Sequence, residues 1–257
     1  VNRRTKMTVK KIFAALLIGV SALTTQANGL IDDAVFNVRL GYSLGGMAPV
    51  GLPNTIRSLD SYHLRPNFVL GLDMNNAIDS HWGWATGIRI ERKGMYIDAT
   101  VKNYHMAIER GGQALEGYYT GHEVTEAKQM LITVPVQATY NLCQNLSLRL
   151  GPYVSFVMSK QFDGYVYDGY LRVNEPTGDK VVMGNTIADR GSYDFSDRMR
   201  SLQYGIDFGV DWCFYHQVGA FAELSWGLNS IHHSDFKTIE QKLYPIYGTI
   251  GLTYRIK

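Results

Sequence analysis

Charged residues recur at alternate positions within apolar segments of the sequence. Ion pairing is the chemistry that such residues could perform there. Asp207 and Asp211 lie in Leu202–Tyr215, whose even-numbered residues from Tyr204 to Phe214 are all apolar or aromatic. Successive side chains of a β-strand point to opposite faces, so both carboxylates would share one face. Buried charges must be paired and hydrogen-bonded. The predicted network has four arginines and five carboxylates: Arg39, Asp73, Arg89, Glu91, Arg149, Asp207, Asp211, Glu223 and Arg255.

Catalytic chemistry has weaker support in the sequence. The candidate bases are His105, His122, His232 and His233, and none of them lies in a recognisable catalytic motif. His232 and His233 together with Asp235 could ligate a metal ion, but adjacent histidines in a loop are more often solvated. We therefore assign no catalytic residue, and we expect neither a metal ion nor a cofactor.

A tyrosine-rich segment within residues 160–200 is the candidate binding surface. Tyrosines suit recognition because they combine a broad contact area with a polar tip. Packing of these rings on each other or on a barrel rim is the alternative. The candidate residues are Tyr165, Tyr167, Tyr170, Tyr193 and Phe195.

Eight segments that alternate with period two are the predicted strands that position these residues. They are residues 35–44, 67–75, a segment that starts at 81, and 129–142, 146–159, 202–215, 218–229 and 243–257. The third strand could extend through residues 96–101. Pro135 predicts a bulge in the fourth strand, because proline cannot donate to the ladder.

The connections between the predicted strands alternate in length. Residues 45–66, 111–125, 160–200 and 230–241 form long loops, whereas the other connections are short. Outer-membrane barrels have short periplasmic turns, longer external loops and an even number of strands. We therefore predict an all-β fold, an eight-stranded antiparallel up-and-down transmembrane β-barrel. A secreted lipocalin-like ligand carrier is the structural alternative, but it would direct the apolar face inward.

The predicted barrel is just wide enough for its own side chains to fill it. The nine charged residues then predict a salt-bridged plug, and a gated polar pathway is the alternative. Cys143 and Cys213 both lie on the inward face at the short-turn end, but on strands that are not neighbours. Two strand spacings amount to about 9 to 10 Å, which exceeds the limit of about 7 Å between the Cα atoms of a disulfide.

The first 27 residues have the organisation of a cleaved signal peptide. Residues 7–11 form a basic region with Lys10 and Lys11, residues 12–23 are apolar, and small residues follow at the cleavage spacing. The apolar run is shorter than the ~20 residues of a membrane-spanning helix. Removal of residues 1–27 lowers the Lys and Arg count from 25 to 20 against 23 acidic residues, so the net charge changes from +2 to −3. This balance excludes a nucleic-acid partner.

Five motifs in order carry a resemblance to a known family. They are VRLGYS, WGWATGIRIERKG, LITVPVQATYNL, LSLRLGPYVSF and YGTIGLTYRI. Together they resemble the PorT-like outer membrane β-barrel domain family of Bacteroidetes, although the chain ends in Lys257 instead of an aromatic residue. The resemblance implies that residues 28–257 form a barrel in the Gram-negative outer membrane. It implies little about activity, beyond a role in secretion or envelope assembly.

The predicted function is that of a non-enzymatic structural or interaction protein that acts through its external loops. The expected partners are outer-membrane lipid and other envelope or secretion proteins, and the barrel is expected to be monomeric. The alternative functions are the lipocalin-like carrier and an outer-membrane enzyme that acts on lipid or peptide.

Overall fold

The computed structural model describes residues 34–51, 53–236, 238–239 and 242–256. The predicted signal peptide lies outside these residues. The described strands are β1 (Val35–Pro49), β2 (Ile56–His63), β3 (Phe68–Ala77), β4 (Trp82–Arg110), β5 (Gln113–Cys143), β6 (Leu146–Val173), β7 (Lys180–Met183), β8 (Gly191–Asp194), β9 (Leu202–Tyr215), β10 (Val218–Gly227) and β11 (Leu243–Arg255). A 3-10 helix spans Ser196–Arg198. No helix in the described part of the chain is long and apolar enough to cross a membrane.

Eight of the strands form a closed antiparallel ring. Within this set of eight, each strand pairs with the member that follows it in sequence, so that β1 pairs with β3 and β6 with β9. β1 also pairs with β11, which closes the barrel. The ring consists of β1, β3, β4, β5, β6, β9, β10 and β11. The predicted eight-stranded up-and-down barrel is therefore confirmed.

The outer face of the ring is apolar and its inner face is polar. On β9, Ile206 and Phe208 are 42% and 48% exposed, whereas Gln203 and Asp207 are 2% and 1% exposed. This alternation suits a strand with lipid on one side and a filled lumen on the other. A lipocalin-like carrier would have the opposite arrangement, so that alternative is wrong.

Three strands continue far beyond the length that a membrane requires. β4, β5 and β6 contain 29, 31 and 28 residues, about three times the 9–11 residues of a transmembrane β-strand. β4 and β5 are joined at Gly111 and Gly112, both with positive φ. The predicted loops at residues 111–125 and 160–200 are therefore wrong, because most of the first and much of the second is strand. The predicted loop at 45–66 likewise contains the end of β1 and all of β2.

β4 confirms the predicted extension of the third strand through residues 96–101, and β-bulges explain why the alternation did not reveal the other extensions. The pairing of β4 with β5 shifts between Val101 and Tyr104, and the buried residues of β4 change there from odd numbers to even ones, including Met106 and Ile108. The pairing of β6 with β5 shifts beside Met158. A shift of one residue exchanges the two faces of a strand, so no single period runs through these strands.

The extensions fold into an external cap with its own hydrophobic core. We define the cap as β2, β7, β8, the 3-10 helix and the parts of β4, β5 and β6 at residues 95–110, 113–127 and 160–173. β8 pairs with β6 and, through Ser192 and Glu109, with β4. The core includes Met95, Val101, Tyr104, Met106, Ile108, Tyr119, Phe162, Val166, Leu171, Met183, Tyr193, Met199 and Ile231. The principal apolar core of the described chain thus lies outside the membrane.

Two local predictions have clear outcomes. Pro135 does not cause a bulge, because Thr86 pairs with Val136 and Arg89 with Thr133 in one continuous register. That prediction is wrong. Cys143 and Cys213 are free thiols, and β6 separates the two strands that carry them.

Candidate functional site

Asp73 on β3 lies at the centre of the barrel lumen. Its Oδ2 atom accepts hydrogen bonds of 3.0 Å from each of Arg39, Arg89 and Arg149. Its Oδ1 atom accepts a further bond of 3.2 Å from Nε of Arg89. Gly87 on the facing strand leaves space for this carboxylate, because a Cβ atom there would lie 2.6 Å from Oδ1. One buried carboxylate therefore links arginines from β1, β4 and β6.

Three further carboxylates complete the lumen network. Asp211 accepts a bond of 2.9 Å from Arg39 and forms an ion pair with Arg149. Glu223 accepts a bond of 2.7 Å from Arg89, and Asp207 lies 3.7 Å from the same guanidinium nitrogen. Each arginine thus contacts at least two carboxylates, which is the pairing that buried charges require. We use the name lumen network for Arg39, Asp73, Arg89, Arg149, Asp207, Asp211 and Glu223.

A lysine cluster lies next to the lumen network on its external side. Lys93 is buried and its Nζ atom lies 2.8 Å from Oε2 of Glu91, which also accepts a hydrogen bond of 2.9 Å from Thr133. The ammonium group lies 5.7 and 5.5 Å from the ring centres of Tyr153 and Tyr247. We did not predict Lys93 from the sequence. Its position two residues after Glu91, on the same strand face, was the available signal.

Arg255 is the predicted network residue that stands apart. It is exposed at the end of β11, where the barrel opens at the short-turn end. There it lines a cavity of about 220 Å³ together with Asn37, Asn75, Arg149 and Asp211. The other eight predicted residues lie in the lumen network and the lysine cluster.

Apolar side chains close the lumen on its external side. Met95 follows Lys93 by two residues on β4, and its sulfur accepts a hydrogen bond from the backbone N–H of Met47. Leu243 at the start of β11 belongs to the same buried cluster as these two methionines. The ring of Tyr247 is also buried. The polar lumen thus ends beneath the hydrophobic core of the cap.

The predicted tyrosine set does not form one surface. Tyr165 and Phe195 line a cleft of about 620 Å³ in the cap, and Tyr193 contributes to the same cleft. Tyr167 lies further along β6, where it contacts His122. Tyr170 lies beyond it, with the Lys180 ammonium 4.4 Å from its ring centre.

The cleft in the cap combines aromatic rings with charged groups. Its lining includes Tyr96, Glu126, Asp163 and Asp194, and the guanidinium of Arg190 lies 4.2 Å from the ring centre of Tyr165. We use the name cap cleft for this concave surface. Rings with polar tips beside charged side chains give it the composition of a recognition surface.

Tyr193 anchors the inner wall of the cap cleft. It is 6% exposed, and its hydroxyl group lies 2.7 Å from the Thr125 hydroxyl and donates to Glu123 over 3.1 Å. Burial raises the pKa of Tyr193 and also raises the pKa of Glu123 to about 7. For Tyr193, packing inside the cap describes the structure better than exposure to a partner.

Two of the four candidate histidines, His105 and His122, lie in the cap, and the other two lie in the loop after β10. His105 lies 3.5 Å from Glu116, and His122 lies on the outer face of β5. The ring of His232 packs against Phe162 at a centroid distance of 4.8 Å, and burial lowers the pKa of His232 to about 4. His233 follows it in the loop after β10. His232 and His233 are adjacent in sequence, whereas His105 and His122 lie on β4 and β5 of the cap.

The chain matches one family model and is similar to several solved structures at low sequence identity. A family model described as "Outer membrane protein beta-barrel domain" matches residues 26–233, whereas no curated protein matches the chain. Ail, the attachment invasion locus protein of Yersinia pestis, solved with the heparin analogue sucrose octasulfate, is 10% identical over 87% of this chain and 97% of its own, with a TM-score of 0.36. CarO of Acinetobacter baumannii is 12% identical over 85% of this chain and 96% of its own, with a TM-score of 0.40.

Proposed function

The chain belongs to the outer membrane protein beta-barrel domain family, and from this premise we propose that it is a closed outer-membrane barrel that presents its cap to partners outside the cell. In this proposal the lumen stabilises the barrel and does not conduct. The cap carries the interaction surface, with the cap cleft as its centre.

The observation that carries the closed-barrel proposal is the connectivity of the lumen network. Arg39, Arg89 and Arg149 share the carboxylate of Asp73, and each of them also contacts a second carboxylate. Breaking one buried ion pair costs about 3–5 kcal/mol, so a water-filled path would require several such losses together. The apolar residues above the lysine cluster add a second barrier on the external side.

The proposal includes no enzymatic activity. The candidate histidines are engaged in separate contacts, such as the ion pair of His105 with Glu116 and the packing of His232 on Phe162. The resemblance of the strand motifs to PorT-like proteins supports a more specific part of the proposal, a role in secretion or envelope assembly.

Conductance measurements test the closed lumen. We expect the purified protein in planar bilayers to give no sustained current steps. A variant that combines Arg89→Ala with Glu223→Ala removes both members of a buried pair and shows whether the assay detects an opened lumen. Sustained conductance by the unaltered protein would overturn the closed-barrel proposal.

Site-specific cross-linking in cells tests the interaction surface. A photoreactive residue at position 165 or 190 in the cap cleft is expected to capture a partner protein, and the charge reversal Arg190→Glu is expected to reduce the yield. Position 170 offers a matched control, because Tyr170 is an aromatic residue of the same strand outside the cap cleft. Equal yields at positions 165 and 170 would contradict a partner surface centred on the cleft.

A further inference from the structure

Three metal-ligating side chains from three strands converge on the cap outside the cap cleft. Asp60 on β2, Asp98 on β4 and His122 on β5 each offer one ligand atom, and these atoms all lie within 4.8 Å of one another. The three residues are far apart in sequence. No motif spacing connects them, so the sequence alone gave no expectation of a metal site here.

The backbone explains how the three side chains meet. Leu59 pairs with Ala99 and Ser61 with Asp98, so Asp60 is the extra residue of a bulge in β2. Bulges redirect a side chain and occur frequently beside functional sites. His122 lies directly opposite Thr100 on β4, and Asp98, two residues before Thr100, projects from the same face.

The spacing of one pair of ligand atoms, from His122 and Asp60, fits a small divalent ion. Nδ1 of His122 and Oδ2 of Asp60 are 3.3 Å apart. Two ligands of a tetrahedral zinc ion are also about 3.3 Å apart, given bond lengths of about 2.0–2.1 Å. An imidazole with two carboxylates favours zinc or a related transition metal over calcium and magnesium, which prefer oxygen ligands alone.

Neighbouring hydroxyl groups hold the two carboxylates in place. Ser58 and Thr100 each donate a hydrogen bond of 2.6 Å to Asp60. Tyr167 donates one of 2.7 Å to Oδ2 of Asp98, and its ring stacks on His122 at 5.1 Å. Hydrogen bonds of this kind orient the ligands in metal sites and tune their affinity.

A second observation, at Asp98, also points to a bound cation. Its Oδ1 atom is buried and has no hydrogen-bond partner within the part of the chain that the structure describes. Buried polar atoms are nearly always paired, so an exception calls for an explanation such as an ion. A cation held between the three side chains would provide one for this carboxylate.

We propose that Asp60, Asp98 and His122 bind a divalent transition-metal ion, zinc being the best match to the ligand set. The ion would hold β2 against β4 and β5, the strands that carry Asp98 and His122. Within the described residues, β2 is an edge strand that pairs with β4 alone, so the ion would give it a second attachment. The three ligands lie outside the lining of the cap cleft.

Calorimetric titration with zinc chloride tests the site in the folded, chelator-treated protein in detergent. We expect one saturating site per chain. Asp98→Asn and His122→Gln should each weaken binding at least tenfold, because loss of even an outer hydrogen-bond partner costs about 10–100-fold in metal affinity. His105→Gln is the matched control, since His105 is a cap histidine beside the single carboxylate of Glu116, and it should bind zinc as the unaltered protein does.

Limited proteolysis gives a readout of this second attachment of β2. Zinc should slow tryptic cleavage at Arg57, an exposed residue of β2, in the unaltered protein but not in His122→Gln. If His122→Gln does not fold, Tyr167→Phe replaces it as the test variant. This change removes only the hydroxyl that supports Asp98, so it should weaken zinc binding about tenfold. The proposal fails if the unaltered protein shows no saturating site, or if the folded ligand variants bind zinc equally well.

Discussion

Replacing Asp73 with asparagine tests whether the lumen network stabilises the barrel. The substitution keeps the shape of the side chain but removes the charge that three arginines share. It also places an amide, which has two donor hydrogens, in a position where every neighbour is itself a donor. We therefore expect a large loss in the free energy of unfolding from a change of very few atoms.

The magnitude follows from the remaining contacts. Hydrogen bonds to charged groups contribute about 1.5–3 kcal/mol each, so the four bonds of Asp73 would together exceed the cost of breaking one buried pair. However, Arg39 and Arg149 retain Asp211, and Arg89 retains Glu223. The expected cost is therefore that of one broken buried ion pair, about 3–5 kcal/mol.

Equilibrium unfolding by denaturant in lipid vesicles measures this cost, with tryptophan fluorescence as the signal. The comparison is valid when the variant and the unaltered protein have the same m-value. Asp197→Asn is the matched control, because Asp197 is exposed and its replacement should change stability by less than about 0.5 kcal/mol. Combined with Arg149→Gln, Asp73→Asn should cost less than the sum of the two single changes by at least about 1 kcal/mol. A single-variant cost below about 1 kcal/mol, or strict additivity, would refute the reasoning.

Three further substitutions test the lipid-facing wall of the barrel, the pH dependence of the cap and the packing within the cap. Phe208→Arg places a charge on the lipid-facing surface and should cost about 2–4 kcal/mol in vesicles. His232 packs against Phe162 of the cap and is neutral in the folded protein because burial lowers its pKa to about 4. The stability that it contributes should therefore be lost as the pH falls from about 6.5 towards 4. His232→Phe should remove that loss, measured by proteolysis of the cap at several pH values. Gly164→Ala would overlap the backbone carbonyl of Val124 and should cost about 1–3 kcal/mol, visible as faster amide exchange in the cap.

Each of these changes has its own control. Phe208→Leu should be tolerated, and normal stability of the arginine variant would show that Phe208 does not face lipid. An unchanged pH profile in His232→Phe would mean that another group controls the cap. Gly248→Ala should be neutral, because a Cβ atom there would meet only the Leu44 carbonyl, at 3.9 Å. Equal exchange in both glycine variants would argue against tight packing at Gly164.

The membrane part of the fold could be predicted because its surroundings are simple. Lipid on one side and a filled lumen on the other impose a strict alternation, and Ile206 and Phe208 follow it. Alternation identifies the face of a residue but not its partner. Arg39 and Asp211 are 172 positions apart in sequence, and they meet only because the ring closes between β1 and β11.

The cap could not be predicted in the same way. A bulge such as the one between Val101 and Tyr104 restarts the alternation on the other face, and a strand that changes face resembles an irregular polar loop. The convergence of Asp60, Asp98 and His122 depends on another bulge. Only the pairing of the strands, which the sequence does not display, brings these three residues together.

The length of β4 determines how far the molecule reaches from the cell. Arg92 pairs with Phe68 near the external edge of the lipid-facing band, and Arg110 lies 18 positions further along the strand. That distance is about 60 Å along a strand, or about 40 Å perpendicular to the membrane for a strand tilt of about 45°. The turn at Gly111 and Gly112, where an added Cβ atom would meet nothing within 4 Å, therefore stands well clear of the lipid headgroups. An epitope tag inserted there should be accessible to antibodies on intact cells.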